Sequence, residues 1–499
     1  MKIHQSTPLR LAKNSVFTLF TQVAIAVIAI IALPFIVRGL GFDGYGILSF
    51  AIVIFTTLTI IDMGVGRTST KFIAECVEKE DHEGIRSVFW TSFYLQLVTG
   101  VLVGLFIYLF SSRIFREMKV PNVDPGDLNI ILIFLCSSAP VILCLSTVRG
   151  ALEAAQRFDL TNVLKIAVNL STYLVPLLFL RLRLNIPDII GALFLVRLLC
   201  LAVFLGMCYR VFPFLGCYPR NAKASLRSIV RFTSWIAVSN IIVPILCQMD
   251  KFFIVGGESF HRLSFYTIPF EVINGIWIIP SSIAVVVYPA FSYYRENTSA
   301  SEDLLYYSSK YIMVLLLPLI VFLFMFSEEI LLLWQGAVVA RNSAGVLRIL
   351  LLGVFINSIS WVPANMLTGQ GRPDIVAKIH MAQIPLYIIV AYLLIRKYSI
   401  AGAAVAFTLR VSFETLLILC NLRVGIWKFF LKSVSGRMIC VAAGMLLLNA
   451  LYKYVFSVNV HIFTYLGVYL LVYAGLFWRF LLIDSERAFL RDVAVLRNT

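Results

Sequence analysis

Along the chain, apolar runs of about twenty residues alternate with short polar clusters, and no stretch sustains the strict every-second-residue alternation of a half-buried strand. A run of that length, wound as an α-helix rising 1.5 Å per residue, crosses a hydrocarbon core of about 30 Å. Fourteen such runs predict fourteen transmembrane helices: Asn14 to Val37, Tyr45 to Gly66, Ser87 to Phe110, Leu128 to Val148, Thr161 to Leu180, Pro187 to Tyr209, Ile229 to Met249, Leu263 to Ala290, Leu304 to Phe326, Ala344 to Leu367, Ile375 to Ile395, Ile400 to Leu422, Gly436 to Phe456 and His461 to Ile483. The predicted fold class is therefore an all-α integral membrane protein, and an even number of spans places both termini on one side.

The pattern repeats at a period of 210 to 220 residues. "RGALEAAQRFDLTNVLKI" from Arg149 and "LTGQGRPDIVAKIHM" from Leu367 each close a fourth span and open a fifth. "GYGILSF" from Gly44 is similar to "SFYTIPF" from Ser264, and "PDIIGALFLVRLL" from Pro187 to "SIAGAAVAFTLRV" from Ser399. Six spans per unit give the two halves the same orientation, as parallel repeats about an axis along the membrane normal. The expected organisation is an N-lobe over residues 1–210, a linker over 211–228, a C-lobe over 229–422 and two further helices with a tail over 423–499. Two six-helix lobes facing each other enclose a cleft near the midplane, the anatomy of an alternating-access transporter.

Composition agrees: 60% of the 499 residues are hydrophobic and 14% charged, with a mean hydropathy of +0.91, far from the roughly 25% charged of a soluble domain. The net charge of +16 would suggest nucleic acid for a soluble protein, but here its distribution is topological. With the N-terminus inside, 27 Lys and Arg fall in inner segments against 13 in outer loops, the bias that orients membrane proteins with cytoplasmic termini. The nine cysteines never form C-x-x-C, so neither a disulfide framework nor a zinc site is readable. The basic N-terminal stretch (Lys2, Arg10, Lys13) precedes an apolar run without a cleavage site of small residues and reads as a retained first span. "GLGFDG", Gly39 to Gly44, matches a dinucleotide-binding pattern. Its flanks are apolar spans rather than a strand and a soluble helix, so it predicts a tight outer turn instead.

"LPFIVRGLGFDGYGILSF", "IIDMGVGRTSTKFIAE", "RGALEAAQRFD" and "QMDKFFIVGG", in that order and spacing, resemble the polysaccharide-transporter branch of the multidrug/oligosaccharidyl-lipid/polysaccharide exporter superfamily, over essentially the whole chain. The resemblance implies two six-helix lobes around a cationic cavity, two added helices, and a place in the bacterial inner membrane. It also implies export of an undecaprenyl-diphosphate-linked oligosaccharide, such as an O-antigen repeat unit, to the periplasmic leaflet. Coupling to a proton or sodium gradient follows from it, as do membrane lipids, a polysaccharide polymerase and glycosyltransferases as partners. No cofactor is implied.

Ionisable groups inside spans are costly, by about 2.5–3.5 kcal/mol on insertion scales, so they face a cavity or a partner. Arg197 falls near the middle of span six, either paired with a neighbouring helix or as a cavity cation that meets the diphosphate. Arg410 has Glu414 one turn on, so an ion pair within the helix competes with a substrate contact. Arg38 at the outer end of span one is a headgroup contact or a phosphate ligand, and Arg149 in an inner loop either obeys the charge bias or is the first contact for the diphosphate. Lys251 joins the substrate-binding candidates, beside Asp250 at the end of span seven. Asp62 is deep enough to need a partner, which Arg67 or Lys71 could supply. Glu271 is either the protonatable coupling group or a packing carboxyl bonded to Asn274 or the Asp250/Lys251 pair. Pro269 and Pro280 bracket the middle of span eight and suggest a bend there.

A polytopic glycosyltransferase or polymerase would carry a long extramembrane loop with clustered acids or histidines. The five histidines here are scattered, so no catalytic or metal constellation is read and an enzyme is not expected. The nearer alternatives are a cation-coupled multidrug exporter, which would be expected to have twelve spans and a carboxylate-rich site, and a peptidoglycan lipid precursor flippase.

Overall fold

A computed structural model of the chain describes residues 8–60, 62, 65–117, 125–216, 246–422, 424–433, 436–455 and 462–481. Most of the expected seventh span, the linker from residue 217 and the C-terminal tail lie outside the described residues, as do Trp235 and Pro244.

The described residues are helical throughout their regular parts. In chain order they form α1 (Pro8–Ile60), α2 (Val65–Glu78), α3 (His82–Glu117), α4 (Pro125–Ala154), α5 (Phe158–Arg181), α6 (Ile186–Val211) and α7 (residues 246–257). Then follow α8 (Phe260–Ile276), α9 (Ile278–Tyr293), α10 (Thr298–Met325), α11 (Ser327–Gln335), α12 (Ala337–Gly369) and α13 (Pro373–Cys420). The last are α14 (Ile426–Ser433), α15 (Gly436–Val455), α16 (Ile462–Leu476) and a π-helical turn, Phe477–Leu481. Eleven helices among the described residues are long and apolar enough to cross a membrane. Two of them, α1 and α13, are each broken by one non-helical residue.

The break in α1 is Gly41, with φ 70° and ψ 175°, a backbone region essentially reserved for glycine. The turn expected over Gly39–Gly44 is thus a single off-helix residue with helix on both sides. The break in α13 is Ser399, with φ 56°, and its hydroxyl donates to Glu258 Oε2 at 2.5 Å. Span eight is also divided: α8 stops and α9 begins on either side of Trp277, between Pro269 and Pro280 as the sequence suggested.

The described residues gather into two compact units, one comprising the chain up to Glu271 together with His380–Ala403, the other Val272–Ile379 with the chain from Ala404. In the first, α4 is central. Its apolar window is 61% buried against 22% for α3, because α4 touches α1, α2, α3, α5 and α6. Phe89 and Trp90 of α3, Val148 and Leu152 of α4 and Phe204 and Cys208 of α6 fill that core. The other face of α3 presents Leu102, Leu105, Phe106 and Leu109 outward, as a lipid-facing helix must.

In the second unit α10 is the hub, in contact with α9, α12, α14 and α15. Pro318 in α10 has no N–H to offer the carbonyl four residues earlier. Tyr473 of α16 supplies the missing donor, its hydroxyl reaching Val314 O at 2.5 Å, and Tyr469 donates to Pro318 O at 2.9 Å. Tyr465, Tyr469 and Tyr473 are spaced one turn apart and form a single stripe against Phe322 and Phe326. The last helix outside the sequence repeat, α16, is thereby docked through tyrosines onto a proline-containing helix.

Candidate functional site

The first unit holds a cluster of charge drawn from α7 and α8, with tyrosines of α1 and α5 beside it. Asp250 and Lys251 are consecutive on α7 and only 1% and 6% exposed. Local partners make that burial tolerable. Lys251 Nζ donates to Gln248 Oε1 at 2.6 Å and lies 4.4 Å from the centre of the Phe270 ring, a cation–π contact. Asp250 Oδ2 accepts a hydrogen bond from the Tyr266 hydroxyl, while Oδ1 is buried without a hydrogen-bond partner among the described residues. Tyr266 and Phe270 are one turn apart on α8, which is why one face of that helix serves both charges.

Glu271 follows Phe270 and is half-buried. Tyr173 of α5 donates to Glu271 Oε2 at 3.5 Å. Tyr45 of α1, itself buried, lies in the field of Glu271 and within hydrogen-bonding reach of Thr267. The Lys251 ammonium is in turn within electrostatic reach of Asp250 and Glu271. Two carboxylates therefore lie in the field of one ammonium, with three tyrosines around them. Such a site has the chemistry to take up a proton or a small cation, and to change its pairing when it does.

Arg197 of α6 is 4% exposed. Its Nη1 donates to Leu193 O at 2.8 Å and its guanidinium stands 4.0 Å from the centre of the Phe55 ring of α1. Among the described residues no carboxylate contacts it, so it is held by an aromatic face and a carbonyl. Arg410, by contrast, meets Glu414 Oε2 at 3.4 Å, both side chains being nearly buried, and its guanidinium lies 5.5 Å from the centre of the Phe407 ring. The ion pair read from their spacing forms.

The remaining candidates lie elsewhere. Arg38 is exposed on α1. Arg149 pairs with Glu153 at 3.8 Å, and Lys165 reaches the same carboxylate at 3.9 Å. Asp62 is buried, and its backbone carbonyl accepts from Gln96 Nε2 at 3.0 Å. Arg67 is exposed and Lys71 sits 3.8 Å from Glu75. The structure thus gathers Asp250, Lys251 and Glu271 into one cluster and leaves Arg38, Arg149 and Arg67 outside it. Sequence reading missed Tyr45, Tyr173, Tyr266 and Phe55. Their signal was weak but present, since each is an aromatic residue on the same helical stretch as a glycine turn or a charge. Among the described residues no three His, Cys, Asp or Glu side chains converge as a metal would require.

Residues 11–295, more than half of the chain, match the family described as "Polysaccharide biosynthesis protein", and residues 236–393 match the MatE family. A Shigella flexneri protein named "Putative O-antigen transporter" is 26% identical over 415 residues, which is 81% of this chain and 96% of that protein. Among solved structures, the lipid II flippase MurJ in an inward closed conformation superposes with a TM-score of 0.72 over 94% of this chain and 98% of its own, at 14% identity. An inward-facing multidrug resistance MATE family transporter of the MOP superfamily superposes with a TM-score of 0.63 over 83% of this chain and 98% of its own, also at 14% identity. At such identities the structural likeness is one of fold, while the sequence match reaches the family itself. The chain belongs to the family described as "Polysaccharide biosynthesis protein".

Proposed function

We propose that this protein is an inner-membrane flippase that carries an undecaprenyl-diphosphate-linked oligosaccharide, an O-antigen or related repeat unit, from the cytoplasmic to the periplasmic leaflet. The observation that carries the reading is the near full-length alignment with the Shigella protein named as an O-antigen transporter. The charge inventory supports it, because an anionic diphosphate needs cations within the membrane and Arg197 is a buried cation with no carboxylate against it among the described residues.

In this reading the chain has fourteen spans. Counting the broken helices α1 and α13 twice gives thirteen among the described residues, and the seventh expected span, Ile229 to Met249, completes the set. Six-helix lobes over residues 1–210 and 229–422 alternate access by rocking, with both termini in the cytoplasm. Arg197 and Arg410 are the cations offered to the diphosphate as it crosses, Arg149 and Arg38 meet it at entry and exit, and the polyprenyl tail stays in lipid. Glu271, with Asp250 beside it, binds the coupling proton or sodium ion, and Lys251 joins the cations that meet the substrate. Asp62, with Arg67 or Lys71 as its partner, latches the inner end of the second span, and Arg410 exchanges Glu414 for phosphate. The polymerase and glycosyltransferases that handle the same carrier are its functional neighbours.

The test is exchange of lipid-linked oligosaccharide in proteoliposomes with and without an imposed proton or sodium gradient. Gradient-stimulated exchange is expected in the parent protein and a gradient-independent residue of activity in Glu271→Gln. Gradient stimulation that persists in Glu271→Gln removes that residue from coupling. A multidrug exporter, the reading the MatE match favours, would instead move cationic dyes under the same gradient.

A further inference from the structure

The second unit contains a cavity of about 310 Å³ formed where three interhelical turns converge, those of α9–α10, α12–α13 and α13–α14. Arg295, Arg372, Gln370 and Asn421 line it together with Glu296 and Glu302. By charge distribution these turns belong to the inner side. The two acids are not equivalent, because Glu302 already receives Lys428 at 2.9 Å. Arg295 is drawn over the α12–α13 turn, its guanidinium atoms standing 3.3 to 3.4 Å from where a side chain at Gly371 would begin.

A second turn of the same construction shows what is unusual here. In the first unit the α4–α5 turn places Gln156 at φ 56°, with Gln156 N donating to Glu153 O and Arg157 N to Leu152 O, each at 2.9 Å. In the α12–α13 turn Gly371 is at φ 82°, with Gly371 N donating to Thr368 O at 3.0 Å and Arg372 N to Leu367 O at 2.9 Å. Arg157 and Arg372 are thus equivalent, and each is followed two residues on by an aspartate. Arg157 is locked onto its aspartate, Nε to Asp159 Oδ1 at 3.0 Å and Nη2 to Oδ2 at 2.8 Å. At the other turn the aspartate is taken by a lysine: Asp374 Oδ2 accepts from Lys378 at 3.0 Å. Arg372, near Asp374 but without the bidentate lock of Arg157, lines the cavity together with a second guanidinium, that of Arg295.

We infer that this cavity binds a phosphate group, held between Arg295 and Arg372 and presented by a lipid headgroup or as the free anion. Two guanidinium forks match phosphate oxygens in number and geometry, and basic pockets at the inner ends of membrane helices suit phospholipid headgroups. The site involves none of the residues assigned to transport, so its test does not depend on transport. The full-length protein in detergent is titrated with phosphatidylglycerol, with phosphatidylcholine as the neutral control and with inorganic phosphate, and occupancy is read by native mass spectrometry. Phosphatidylglycerol binding that weakens about tenfold or more in Arg295→Ala/Arg372→Ala identifies a headgroup site; phosphate binding alone with the same sensitivity identifies a site for the free anion. Glu296→Gln is expected to tighten binding, and Arg157→Ala, at the paired equivalent, to leave it unchanged. Both arginines are exposed, so the melting temperature of the double variant controls for folding. Equal binding of both probes by the parent and the double variant overturns the assignment, as does an equal loss in Arg157→Ala.

Discussion

Replacing Arg197 by methionine separates a charge kept for its cargo from one kept for the fold. The side chain is 4% exposed, so its removal from a span relieves an insertion cost of about 2.5–3.5 kcal/mol. Against that stand the stacking on Phe55 at 4.0 Å, worth about 2 kcal/mol when desolvated, and the hydrogen bond to Leu193 O, worth about 1.5–3 kcal/mol for a charged donor. The two sides nearly cancel, leaving a net cost of about 1 kcal/mol. Methionine also fills most of the vacated volume and adapts to irregular packing. Arg197→Met is therefore expected to accumulate in the membrane at near-normal levels and to unfold within a few degrees of the parent in detergent. Transport, read as surface-polysaccharide complementation of a deletion strain, is expected to be lost. Arg197→Lys, which keeps the charge but not the planar fork, should retain part of it. Full complementation by Arg197→Met at normal expression would refute the substrate role, and a stability loss of about 4 kcal/mol or more would mark the arginine as a structural group.

Asp250→Asn and Lys251→Met each remove a buried charge from its own partners, Tyr266 for the first and Gln248 with Phe270 for the second. Each should cost about 1–3 kcal/mol, whereas the double variant should cost clearly less than the two together because each charge lies in the other's field. Additive losses in thermal unfolding would show that the two charges do not interact. Gly41→Ala meets no atom within 4 Å but forces alanine into glycine's region, at about 1–3 kcal/mol. Gly46→Ala should be worse, because its new carbon would fall 2.0 Å from the Phe260 carbonyl oxygen and α1 and α8 could no longer approach. Equal melting temperatures for the two variants would contradict that ranking.

Much of this architecture is legible in the sequence for simple reasons. Apolar runs mark the helices because lipid permits few polar side chains, and Gly39–Gly44 marks the break in α1 because glycine alone adopts its backbone. The prolines around Trp277 predict the division of span eight by the hydrogen bonds they remove. Arg410 and Glu414 are legible as a pair because a helix brings residues four apart together. Ser399 is not, since a serine at positive φ carries no compositional signal and depends on Glu258, 141 residues earlier. The charge cluster is legible only in its charged members. Tyr173 lies 98 positions from Glu271, and nothing in the period of either helix says that they meet. The tyrosine stripe of α16 is likewise understood only once Val314 and Pro318 are seen beside it.

The most direct test of the proposed function is to delete the gene and identify the lipid-linked material in the inner membrane. Accumulation of complete undecaprenyl-diphosphate-linked repeat units, confined to the cytoplasmic leaflet and dispersed when the wild-type chain is restored, is the predicted result. Unchanged levels of that intermediate, or repeat units that are never completed, would contradict a flippase that carries them across.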